Sequence, residues 1–142
     1  MKRNQRLTSV TCAIIILLSF YSADAQKQNA FILVHENDIA KDEPAPHNGN
    51  GITTVYNFFS TDSSSNLVFR KRILHPGAEI GYHFQEREEI YYIVSGQGEL
   101  KVNDITYNVK AGDAILTHAG NYHGLKQKGN DDLIVIIDYT KR

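Results

Sequence analysis

From Ile52 onward, short β-branched and aromatic runs alternate with glycine and polar turns, and no stretch holds a helical period. Thr53–Phe59 and Asn66–Leu74 are two such runs, parted by Thr61-Asp62-Ser63-Ser64-Ser65. Glu89–Val94 is a third, and Leu133–Ile137 closes the series as a buried strand. Leu100 and Val102 flank Lys101, while Ile105, Tyr107 and Val109 alternate with Thr106, Asn108 and Lys110. Between those two runs Asn103-Asp104 reads as a two-residue hairpin turn. Strands this short and regular predict an all-β sandwich or closed barrel. A chain of this size suits a small jelly-roll β-barrel, which hides its edges and encloses a pocket. The sequence shows no internal repeat.

The N-terminus reads differently. Lys2, Arg3 and Arg6 precede an apolar run from Val10 to Phe20, and Ala23-Asp24-Ala25 follows as a small–any–small cleavage site. That order is the pattern of a signal peptide spanning residues 1–25. The apolar run is well short of the ~20 residues a spanning helix needs, so no membrane span is expected in the mature protein. The expected product is an exported protein, periplasmic or extracellular, with a lead-in over 26–51 and a barrel over 52–142. Within the lead-in Phe31-Ile32-Leu33-Val34 reads as a short strand, and residues 42–51 read as turn and loop.

Charge and cysteine content narrow the function. The 142-residue chain has a formal charge of −1, and removing Lys2, Arg3, Arg6 and Asp24 leaves −3. A mildly acidic domain without a basic run argues against nucleic acid and anionic membrane surfaces as partners. The single cysteine, Cys12, leaves with the leader, so the mature chain has no disulfide, thiol nucleophile or thiolate metal site.

Four polar residues stand out in the strand-rich part: His83, Gln85, Glu89 and His123. His83 and Gln85 are two apart, so a strand points both to one face. The same parity puts Glu89, Tyr91 and Ile93 together and sets Glu89 apart from the charged run Glu86-Arg87-Glu88. Two imidazoles, a carboxylate and an amide oxygen make a shell for one divalent ion, with Fe, Mn, Ni, Zn or Co all compatible. Tyr91 shares the face of Glu89, and His118 precedes His123 in its loop; both are candidates for contact with a bound ligand. His47 and His75 have no partner legible in the sequence.

These residues fall in a pattern. Gly77-Ala78-Glu79-Ile80-Gly81-Tyr82-His83-Phe84-Gln85, then Glu89 and Gly96, resembles the first cupin motif, G-x5-H-x-H-x3-E-x6-G, with Gln85 at the second histidine. Gly112, Gly120 and His123 resemble the second motif, G-x5-P-x-G-x2-H-x3-N, with His118 for the proline and Gln127 for the asparagine. The chain looks most like small one-domain, oxalate-decarboxylase-like cupins. The resemblance implies a metal in the barrel mouth held by His83, Glu89 and His123, with Gln85 at a fourth ligand position, and a homodimer. It implies action on a small carboxylate-bearing or oxygen-rich molecule by decarboxylase, dioxygenase or isomerase chemistry. The alternative is a non-catalytic module that binds a sugar or other small metabolite.

Overall fold

The computed structural model describes residues 30–141. The leader expected over residues 1–25 lies outside them. From Leu33 on the chain forms one compact unit, and that unit carries every regular element among the described residues. That unit opens with a 3-10 turn at Glu36–Asp38 and continues through ten strands. These are β1 Ala40–Pro44, β2 Ile52–Phe58, β3 Leu67–Leu74, β4 Glu79–Phe84 and β5 Glu89–Ser95. They continue as β6 Gln97–Val102, β7 Ile105–Lys110, β8 Ala114–Thr117, β9 Tyr122–Lys128 and β10 Leu133–Thr140. A six-stranded sheet in the order β1-β2-β3-β10-β5-β8 packs against a four-stranded one in the order β4-β9-β6-β7. Every pairing is antiparallel, which gives the expected jelly roll.

Alternation builds the core. Glu89, Tyr91 and Ile93 of β5 point inward while Ile90, Tyr92 and Val94 are exposed, as strand geometry requires. Leu133, Val135 and Ile137 of β10 are buried in the same manner, and Leu74, Ala78, Ile80, Leu100, Val109 and Leu125 complete the cluster. Truncating one of these, such as Ile93, to alanine removes about 2–5 kcal/mol. The predicted hairpin is present: Val102 pairs with Ile105, and Asn103 takes the left-handed backbone that such a turn needs (φ 50°).

Two expectations for the lead-in need correction. Residues 31–34 form no strand. A strand does form at Ala40–Pro44, where Ala40 pairs with Tyr56 and Pro44 with Ile52, so the sheet begins ahead of Ile52. Lys41, Asp42, Glu43 and Pro44 look like loop chemistry because β1 is an edge strand, where charge and proline deter further pairing.

Candidate metal centre

The centre lies between the sheets, where β4 and β9 pair and β5 begins. His83 of β4 stands directly opposite His123 of β9, and their ring centroids are 4.8 Å apart. A register shift between Ile80 and His83 breaks the alternation of β4, so that Ile80 and His83 both face the interior while Tyr82 and Phe84 are exposed. Gln85 follows two residues later, and its backbone is tied to the β8–β9 loop, where Gln85 N donates to Asn121 O and Gln85 O accepts from Gly120 N, both at 2.8 Å. Glu89 is the first residue of β5 and points inward by parity. His123 is fully buried, and Gln85 and Glu89 nearly so, at 8% and 7% exposure.

Hydrogen bonds fix both imidazoles. His83 Nδ1 lies 2.8 Å from the Gly81 carbonyl oxygen, which can only accept, so Nδ1 carries the proton and Nε2 keeps its lone pair. His123 Nδ1 donates to Thr117 Oγ1 at 2.9 Å, and its Nε2 accepts from the Gln85 amide at 2.7 Å. Glu89 Oε2 lies 3.0 Å from that Nε2. One ligand atom from each of His83, Glu89 and His123 falls within 4.8 Å of the others.

Gln85 sits among them. Its amide nitrogen is 2.5 Å from Glu89 Oε2, 2.7 Å from His123 Nε2 and 3.3 Å from His83 Nε2. Three acceptors converge there, and an amide has only two protons to offer. Only a proton donor or a cation relieves the repulsion among converging lone pairs. The donor set therefore fits a divalent ion of the imidazole–carboxylate class.

The flanking residues divide. Tyr91 stacks on the His123 ring with centroids 5.0 Å apart, and its hydroxyl is 3.5 Å from Nε2. Burial, reinforced by the Glu89 carboxylate, pushes its phenol well above the ordinary value, so it stays neutral. His118, the other flanking candidate, is turned away: it is exposed and pairs with Glu88 at 2.9 Å. His75 does have partners, Thr54 Oγ1 at 3.0 Å and Asp132 Oδ1 at 2.9 Å, and ties β2 to the β9–β10 loop.

The residue that sequence reasoning missed is His47. Its ring lies on that of His83 with centroids 3.4 Å apart and planes 2° from parallel. Burial, then the neighbouring His83, lowers its pKa from the ordinary value, and burial lowers that of His83 as well. His47 borders a cavity of about 210 Å3 that is also lined by His83, Gln85, Glu89, Arg87 and Tyr139. That volume is below the ~300–1,000 Å3 of drug-sized sites and suits a small metabolite.

Comparison with known proteins agrees with this fold. The family model described as Cupin domain matches residues 71–138. An oxalate-binding protein of Thermotoga maritima is 35% identical over 88 residues, covering 60% of this chain and 73% of the relative. A 5-nitrosalicylic acid 1,2-dioxygenase of Bradyrhizobium is 32% identical over 66 residues, 46% of this chain but only 32% of that enzyme. A Thermotoga maritima crystal structure described as a "predicted oxalate decarboxylase" superposes with a TM-score of 0.70 at 28% identity, covering 77% of this chain and 98% of that one. The motif spacing and the two-sheet barrel agree with these matches, and the chain belongs to the cupin family, as a small type-2 cupin.

Proposed function

We propose that this chain is an exported metal-binding cupin that acts on a small carboxylate-bearing or oxygen-rich metabolite. The observation that carries the reading is that His83 Nε2, His123 Nε2 and Glu89 Oε2 all close on the Gln85 amide nitrogen, with one ligand atom of each residue within 4.8 Å of the others. His83, Glu89 and His123 would hold the ion, and Gln85 would turn its amide oxygen to it as a fourth, neutral donor. A divalent ion so held supplies Lewis acidity and, if redox-active, access to dioxygen chemistry.

The chain's own residues do the rest. Gly81 and Thr117 hold the two imidazoles with Nε2 turned to the ligating point, as partners outside a ligand shell commonly do. Tyr91 covers one face of His123 and keeps water from it. With Glu89 as the single anionic ligand, a divalent centre retains a charge near +1, which favours an anionic substrate. The names of the oxalate-binding and nitrosalicylate-oxidising relatives lie in that same class of carboxylates. Oxalate is therefore the first probe. The specific test is product formation, with oxygen uptake, across a carboxylate panel given to the manganese- and iron-loaded protein.

Binding without turnover is the second reading, favoured by the amide of Gln85 where an imidazole is usual. Saturable uptake of one panel member with no product would select it. Export is supported by the 1–25 pattern, and an intact mass beginning at Gln26 from the native compartment is its test. A homodimer is supported by the outer face of the six-stranded sheet, where Ile90, Tyr92, Val94 and Leu116 are each 44–50% exposed. A second copy packed on that face would cover it, and light scattering at micromolar concentration tests the assembly.

A further inference from the structure

The backbone of residues 45–51 is shaped around the placement of His47. Ala45 N and Gly51 O close the segment into a loop at 3.0 Å, and Gly49 N bonds Pro46 O inside it. The loop is strapped onto β4 by Gly81 N to Pro46 O at 3.1 Å and Glu79 N to Asn50 O at 3.0 Å. The two backbones meet through glycines. A Cβ on Gly49 would fall 2.0 Å from Glu79 O, and one on Gly81 would fall 2.0 Å from His47 O. His47 and Asn48 themselves take left-handed backbone, at φ 56° and 58°. Residues held in so sparse a region are maintained by their surroundings and cluster at ligand sites.

What this strap delivers is an imidazole laid flat on a candidate ligand, at the edge of the cavity. Among the described residues neither nitrogen of His47 has a hydrogen-bond partner, although every other histidine of the centre has both. Its ligand atoms are also outside the converging set of His83, Glu89 and His123. A stacked ring that borders the cavity without a partner is placed to serve a guest.

We propose that His47 is a substrate-contacting residue, donating its ring N–H to the oxygen of a metal-held carboxylate that points away from the ion. This rests on the metal-centre reading above and extends it. The stack on His83 sets the direction of that donor, and the strap sets its distance. The ligand class is a small mono- or dicarboxylate that leaves one oxygen free toward the strap.

The test uses the full chain loaded with manganese, with metal affinity and oxalate affinity measured separately by calorimetry. His47→Phe keeps a flat ring on His83 and removes the N–H, while His47→Asn keeps an N–H donor and tolerates left-handed backbone. Gly49→Ala disturbs the strap while leaving both the imidazole and the Gly81 carbonyl intact. Loss of a hydrogen bond to a charged group predicts oxalate binding about 10-fold weaker or more in His47→Phe. Manganese affinity should stay close to that of wild type, since His47 supplies no atom to the converging set. His47→Asn should recover part of the loss, and Gly49→Ala should share it. Unchanged oxalate affinity in His47→Phe overturns the proposal, as does an equal fall in manganese affinity, which would mean that His47 acts only through His83. A wild-type manganese form that ignores oxalate, formate and malonate overturns the ligand class while leaving the metal reading intact. Failure of the wild type to hold manganese appears in the first titration and overturns both.

Discussion

His83 and His123 are cross-strand partners whose Nδ1 atoms are both occupied, by Gly81 O and Thr117 Oγ1, so that both Nε2 atoms face the same point. The orientation of the His123 ring thus depends on one buried hydroxyl. Thr117→Val keeps the shape and removes the acceptor. Metal affinity should fall about 10–100-fold, as for other partners that orient a ligand. The fold should lose only about 1–3 kcal/mol for the unpaired Nδ1–H. Metal titration beside urea unfolding separates the two effects.

Gln85 tests how the centre selects its ion. Replacing the neutral oxygen donor by imidazole in Gln85→His should tighten binding of nickel, cobalt or zinc. Gln85→Ala should weaken retention, and His83→Ala or His123→Ala should weaken it further. Affinity alone does not tell a ligand from a neighbour, so the absorption spectrum of the cobalt form is the deciding readout. A spectrum that changes between wild type and Gln85→Ala is expected; an unchanged one would exclude coordination by Gln85.

Arg72 carries a stability prediction with an asymmetry. It is 2% exposed on the inward face of β3 and is held by Thr53 Oγ1 and by Glu43 Oε1 at 2.9 Å, while Glu43 is 30% exposed. Removing Glu43 strands a buried guanidinium, so Glu43→Ala should cost about 3 kcal/mol. Arg72→Met fills the space without a charge and lets Glu43 rehydrate, so it should cost less. Urea midpoints decide, and the reverse order would contradict this assignment.

Acid should destabilise the metal-free protein. His47 and His83 both have pKa values lowered by burial from the ordinary 6.5, so the unfolded chain binds more protons than the folded one below that pH. Stability then rises with pH in this window and is lost as pH falls through about 6.5 and on through the lower folded values. Urea midpoints taken from about pH 7.5 to about pH 5 should decline, and a rise toward pH 5 would contradict the direction of these shifts.

Much of the centre was legible because strand parity and motif spacing are local. His83, Gln85, Glu89 and Tyr91 need only the alternation of two strands, and His123 only its place in the second motif. His47 was not legible. Its partner is brought to it by a backbone-on-backbone contact between Gly49 and β4, which no periodicity records. His118 misled in the opposite sense, since closeness in sequence to His123 says nothing of the direction of its side chain, which turns outward to Glu88. The strand at Ala40–Pro44 was hidden because an edge strand is built from the same charged residues and proline as a loop.

The central claim is that His83, Glu89 and His123 hold one divalent ion. The most direct measurement is the metal content of the full chain purified without added metals and then equilibrated with manganese, beside His83→Ala and His123→Ala carried through in parallel. The account predicts about one ion per chain in the wild type and a marked loss in both variants, with folding confirmed by circular dichroism. A folded wild type that holds no ion, or variants that hold as much as wild type, would contradict it.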